Sequence, residues 1–206
     1  MDITFGVPVP EEDEGQNPPK PIVRSPRLII RGFRPSDAAA LQQLADDANV
    51  SRSLGDHFPF PYTMADAEQY LKIARPEDGD YAIFRSPGGD GGDDVFVGGI
   101  KLKRLPDVYA HGAEVGYWIG REHWGQGLAS EAVVALTRWA FESHPDIHRL
   151  EGLVYANNPA SSRVLEKAGF TLEGTRRRAA CKRGEVIDVR VYGLLRDEHE
   201  DKTKAT

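Results

Sequence analysis

Cysteine is almost missing: Cys181 is the only one in 206 residues. One thiol excludes an internal disulfide and a multi-cysteine zinc site, and it suits a reducing compartment, the cytoplasm. Long apolar runs are missing too, with no window near the eighteen or so residues that a membrane helix needs. The opening Met1-Asp2-Ile3-Thr4-Phe5 has no basic start leading into an apolar stretch, so no secretory signal and no membrane partner are expected. Positive charge is in deficit. Lys and Arg number 26 against 32 Asp and Glu, a formal net charge of -6, which argues against broad nucleic-acid binding. No cluster with metal-ligand spacing stands out, so no metal is expected. No Lys-Ser/Thr pair completes a P-loop, and no glycine pattern near the first strand opens a dinucleotide fold.

What is present is ordinary globular chain, 40% hydrophobic and 28% charged, long enough to bury a core. Residues 1–22, with Glu11-Glu12-Asp13-Glu14 and several prolines, read as a flexible arm. Residues 23–196 read as one folded domain, and 197–206 as a charged, frayed tail. Leu28, Ile29 and Ile30 with Phe33 make a first strand stopped by Pro35; Ser36 or Asp37 then caps a helix carrying Leu41, Leu44 and Ala45. Thr63 and Asp66 form a capping pair for a second helix running to about residue 74. Strands over 81–84 and 95–105 flank a Gly/Asp-rich tip at 86–94. Further strands fall at 113–119 and 150–155, and a closing antiparallel pair at 170–180 and 186–195. Helices are expected over 128–143, with Ala132, Val133, Leu136, Trp139 and Ala140 as its apolar stripe, and over 160–168. The class is α+β: about seven strands and about four helices in a mixed order with one strand–helix–strand crossover, not a regular doubly wound one.

The most informative stretch is Gly116-Tyr117-Trp118-Ile119, then Trp124-Gly125-Gln126-Gly127-Leu128-Ala129-Ser130. A strand enters a glycine-bearing turn that opens directly into an amphipathic helix. First-turn N–H groups have no internal acceptor and sit at the positive end of the helix dipole, so such a turn favours a phosphate or pyrophosphate. A simple tight turn explains the two glycines equally well.

Trp124-Gly125-Gln126-Gly127-Leu128-Ala129 resembles the acetyl-CoA-binding motif of the GNAT superfamily, with Trp124 where many members carry Arg or Gln. The tryptophan and the strand before it resemble the RimJ/RimL-like branch of ribosomal-protein N-terminal acetyltransferases. So do residues 26–31, the Pro59-Phe60-Pro61-Tyr62-Thr63 loop, and Asn158-Pro159-Ala160-Ser161 leading to the 164–170 stretch; the likeness covers roughly 24–196.

The resemblance implies the GNAT fold, a mixed, mostly antiparallel central sheet of about seven strands with about four helices packed on both faces, and an acetyl-CoA-dependent N-acetyltransferase, with acetyl-CoA as cosubstrate. The acceptor would be a primary amine, either a protein N-terminus or a small molecule. Backbone N–H groups from Gln126 to Ser130 would hold the pyrophosphate. Tyr117, Trp118, Ile119, Trp124, Gly125 and Asn158 would complete the cofactor surface, and a backbone N–H near Tyr117 or Trp118 would meet the oxyanion. Glu114 is the candidate base, acting through water; an ordinary surface carboxylate is the plain alternative, and His111 and His123 rank below it. The tyrosine that many members use as general acid is replaced by Leu165. Ser161 is the suggested substitute, with helix capping as its alternative role and Tyr155 as a second candidate acid. Phe60, Tyr62, Glu114 and Arg178 are expected at the acceptor. Because the branch frequently forms dimers, a homodimer is expected. The alternative from another class is a non-catalytic acyl-CoA-binding regulatory module.

Overall fold

A computed structural model describes residues 20–86 and 94–204. Most of the expected N-terminal arm and most of the Gly/Asp-rich tip therefore lie outside the described residues.

Eight strands form one sheet in the order β1-β2-β3-β4-β5-β6-β8-β7. They are β1 (Val23–Arg24), β2 (Leu28–Arg31), β3 (Asp80–Arg85), β4 (Val95–Arg104), β5 (Gly112–Ile119), β6 (Arg149–Tyr155), β7 (Thr171–Lys182) and β8 (Glu185–Leu195). Every neighbouring pair is antiparallel except β5 and β6. The strand beyond the expected seven is the two-residue β1, whose pairing of Val23 with Ile30 leaves no trace in side-chain periodicity. The helices are α1 (Ala38–Ala45), α2 (Ala48–Ser51), α3 (Met64–Ile73), α4 (Leu128–Ser143), α5 (Pro159–Lys167) and α6 (Arg196–Lys204). The two beyond the expected four are the single turn α2 and the C-terminal α6.

Alternation along the strands divides the core in two. Leu28, Ile30, Tyr81 and Ile83 join the stripe of α4, where Leu128, Ala132, Val133, Leu136 and Ala140 are at most 2% exposed. On the opposite face Ile29, Ala82 and Phe84 pack with Leu41, Leu44 and Ala67 of α1 and α3. Each large apolar side chain buried this fully contributes about 1.5–3 kcal/mol, so α4 is firmly seated where β5 delivers the chain.

Thr63 and Asp66 do form a capping box, Thr63 Oγ1 accepting the Asp66 N–H while Asp66 accepts the Thr63 N–H. Asp37 does something else. Residues 35–37 form a 3-10 turn, and the Asp37 carboxylate takes both guanidinium nitrogens of buried Arg31 at 2.9 Å, which also stacks on Phe84. A buried cation needs its counter-charge more than α1 needs a cap. The expected frayed tail runs instead as α6. Its first residue, Arg196, donates to the carbonyls of Phe141, His144 and Ile147, and Glu198 accepts the Leu195 N–H.

Candidate functional site

Only Gly112, Ala113 and Glu114 of β5 pair with β6, opposite Arg149, Leu150 and Glu151. Beyond Glu114 the two strands part, although β5 continues to Ile119 and β6 to Tyr155. The sheet is thereby split between its β1–β5 half and its β6-β8-β7 half. A cleft of about 1600 Å³ runs through the split, reaching from the 124–130 turn to the loop at 53–59.

At one end of the cleft, Gly125 and Gly127 adopt φ of 74° and 76°, the left-handed region that glycine occupies without strain. The first backbone bond of α4 is Glu131 N–H to Gly127 O, so the N–H groups of residues 125–130 have no acceptor among the described residues. They are first-turn donors at the positive end of a sixteen-residue helix. Such a cradle fits a pyrophosphate. A Cβ on Gly125 would meet nothing within 4 Å, which leaves the backbone approachable. Leu128 and Ile119 are core residues and offer only backbone here. The Trp124 indole N–H donates to Ile119 O at 2.6 Å and closes the turn. The Gln126 side chain points away from the cleft to Arg85 and the Glu122 carbonyl.

Two residues that sequence reasoning missed hold this turn in place. Glu131 accepts from Ser25 Oγ at 2.7 Å and from the Arg27 backbone N–H and guanidinium, while Arg27 also donates to Gln126 O. Burial alone would raise the Glu131 carboxyl, but these donors outweigh it and keep it below the usual glutamate range. The Ser25–Arg27 turn and α4 are about a hundred residues apart, and no local pattern joins them.

Ser161 is not the cap of α5. Asn158 is the cap, its Oδ1 accepting the Ser161 N–H at 3.2 Å, while Pro159 starts the helix. The Ser161 hydroxyl is 2.8 Å from the Tyr117 hydroxyl, which also donates to Ser161 O at 3.0 Å. Burial, eased by this contact, pushes the Tyr117 phenol up to about 12. Tyr155 lies elsewhere. Gly152 faces α5, where an added Cβ would stand 2.7 Å from Leu165, so Tyr155, an odd number of residues on, points to the opposite face. There burial and then Asp56 raise its hydroxyl. Tyr155 and Ser161 both border the cleft, but no hydrogen bond joins them among the described residues.

That opposite face carries Glu114, Gly116 and Trp118 of β5. Glu114 is half-buried and lines the cleft, and its carboxylate makes no hydrogen bond or ion pair among the described residues. Trp118 meets Phe58 at 5.4 Å between ring centres, and Phe58 meets Tyr62 at 4.9 Å. Tyr62 is largely buried and borders the cleft behind Phe58. Phe60 is not on the cleft; it is 45% exposed beneath the Arg183 guanidinium. Arg178 is also off the cleft. It sits with φ 52° in a bulge of β7, its N–H held by Asp188, and Arg176 lines the cleft instead. Two basic residues at the β7–β8 turn have structural partners: buried Lys182 holds Asp56 at 2.8 Å and Arg183 holds Ser51. Of the histidines, His123 is buried beside the turn, where burial lowers it, and His111 stacks on His148 away from the cleft.

A family model described as an acetyltransferase (GNAT) domain matches residues 27–171. The chain is 30% identical to the uncharacterized N-acetyltransferase YoaA of Bacillus subtilis (strain 168) over 85% of its own length and 97% of that protein. It is 31% identical to the ribosomal-protein-serine acetyltransferase of Escherichia coli (strain K12) over 51% of this chain and 58% of that one. Some curated relatives are thus matched over about half their length and others over nearly all of it. Among solved structures, RimL, a ribosomal α-N-protein acetyltransferase in complex with coenzyme A, superposes with TM-score 0.72 at 23% identity, over 87% of this chain and 99% of that chain.

Proposed function

Because the chain belongs to the acetyltransferase (GNAT) family, and is an N-acetyltransferase that takes its acetyl group from acetyl-CoA, we propose that the cleft between β5 and β6 is where transfer to a primary amine occurs. The observation that carries this is the parting of β5 from β6 beside the N–H groups of residues 125–130, which have no acceptor among the described residues. The acceptor we assign is the N-terminal amine of a protein. Support comes from relatives named for acetylating ribosomal proteins. The expectation of a cytoplasmic homodimer belongs to the same reading and rests on the resemblance.

When bound, acetyl-CoA supplies the thioester whose C–S bond breaks as the C–N bond forms. The N–H groups of Gln126 to Ser130 would hold its pyrophosphate, and a backbone N–H near Tyr117 or Trp118, on the β5 edge that β6 has left, would face the thioester oxygen. Glu114, uncommitted to any cation, takes the proton of the attacking amine through water. Ser161, on the α5 side of the split, gives its proton to the departing sulfur. Trp118 and Phe58 wall the acceptor end, where Arg176 adds a positive charge.

The test is CoA-thiol release from acetyl-CoA by the purified protein against N-terminal peptides, amino sugars, polyamines and amino acids. Peptide-dependent release establishes the assignment. Release with only a small amine keeps the enzyme and replaces the acceptor. Tight acetyl-CoA binding without release for any amine favours the acyl-CoA-binding module.

A further inference from the structure

We propose that Tyr117 is the positioning residue for Ser161: its phenol sets the direction of the serine hydroxyl, so that the serine proton is presented to the departing thiol. The inference rests on the reading of the cleft as the acetyl-CoA site and goes beyond it by assigning a role to a side chain that would otherwise only line the cofactor surface.

Tyr117 lies on β5 three residues past the last β5–β6 pair, where no β6 backbone stands opposite. Its side chain belongs to the α4–α5 side of the sheet and reaches α5, forty-four residues away in sequence. Its oxygen is 2.8 Å from Ser161 Oγ and 3.0 Å from Ser161 O. A phenol has one proton to donate. If that proton goes to the carbonyl, the serine proton points at the phenol oxygen and nothing is left for sulfur. If it goes to Ser161 Oγ, the serine proton is free to face the cleft. The two arrangements differ by rotation of two hydroxyls. Negative charge gathering on a sulfur near Ser161 selects the second, because hydrogen bonds in series polarise one another. Burial keeps the phenol protonated, with its titration pushed up to about 12, so the donor is present throughout the neutral range.

The same geometry explains how a serine can act as an acid. As the C–S bond breaks, its electron pair leaves on sulfur and the Ser161 proton follows. A serine alkoxide is a stronger base than a phenolate, so the Tyr117 proton moves to Ser161 Oγ, and the phenolate recovers a proton from water in the cleft. Asn158, holding the Ser161 N–H, fixes the other side of the residue. Ser161 is thus held at its N–H by Asn158 and, in the productive arrangement, at its hydroxyl by Tyr117, and only the hydroxyl contact bears on chemistry.

The experiment titrates the thiol of CoA bound to the full chain, following thiolate absorbance, in wild type, Tyr117→Phe and Ser161→Ala. A donor aimed at sulfur lowers the thiol pKa below that of free CoA, and each substitution should return it upward by about one pH unit. Turnover gives the second reading: Tyr117→Phe should lower kcat about tenfold with KM for acetyl-CoA within about twofold, and add nothing in the Ser161→Ala background. An unchanged thiol titration in Tyr117→Phe, or effects of the two substitutions that multiply, overturns the inference. So does an unchanged titration in Ser161→Ala alone, whatever the tyrosine variant does. A wild-type protein that binds no CoA defeats the reading of the cleft, and the inference with it; binding with an unmoved thiol defeats the inference alone.

Discussion

At the residue scale, the candidate site depends on a few atoms whose loss has separable consequences. Gly127 sits at φ 76° beside the free donors of the turn, with Arg27 3.7 Å from where a Cβ would stand. Gly127→Val should weaken acetyl-CoA binding at least about tenfold, roughly 1.4 kcal/mol, by calorimetry; unaltered affinity would remove the turn from the site. Glu114→Gln should lower kcat and leave acetyl-CoA affinity unchanged, because the carboxylate has no structural partner among the described residues. Equal turnover in the variant would take Glu114 out of the mechanism. Asn158 and Ser161 divide what sequence spacing left joined. Asn158→Ala should destabilise by about 1 kcal/mol as a lost cap, whereas Ser161→Ala should leave the melting temperature in place and reduce turnover. The glycines and the serine were legible in the sequence because motif spacing places them. That Asn158 rather than Ser161 caps α5 was not, since both residue types cap well and stand within one turn.

At the element scale, α4 is held at both ends by residues distant in the chain. Its first turn is tied to the Ser25–Arg27 turn through Glu131, whose carboxyl stays below its ordinary range in the folded state. A depressed carboxyl contributes stability above the unfolded glutamate value, near 4.3, and loses it as pH falls through the folded value. Glu131→Gln should therefore be less stable than wild type in urea melts at pH 7, and the gap should close in acid below the ordinary glutamate range. A gap independent of pH would show that the charge is irrelevant. Its last turn is capped by Arg196, whose guanidinium serves the carbonyls of Phe141, His144 and Ile147. Hydrogen bonds from a charged donor are worth about 1.5–3 kcal/mol, so Arg196→Ala should lower stability by a similar amount and free α6 to exchange amide protons. The extent of α4 was plain from its apolar stripe. α6 was not, because a strongly charged segment carries no apolar periodicity and its order comes from contacts reaching back to α4, Arg196 on its carbonyls and His199 against Phe141.

At the scale of the whole molecule, function follows from a sheet that fails to close. Gly116 faces the split, and a Cβ there would meet nothing within 4 Å. Gly116→Leu should therefore keep the melting temperature of wild type while lowering kcat/KM for the amine at least about tenfold, the side chain standing in the cleft; full activity would show that reactants pass elsewhere. The β7–β8 hairpin also has a role at this scale. Lys182 and Arg183 bind Asp56 and Ser51, fastening the hairpin to α2 and the loop after it, which borders the cleft, so their charges serve architecture. The sequence by itself determined seven of the eight strands, four of the six helices and the glycine turn opening α4, because periodicity, capping signals and glycine spacing are local properties of the chain. Tertiary structure alone decided where β5 leaves β6, that Tyr117 meets Ser161 while Tyr155 faces the other way, and that Arg176 rather than Arg178 turns toward the cleft. Those outcomes depend on register and on a bulge, and a shift of one residue in pairing carries a side chain to the opposite face.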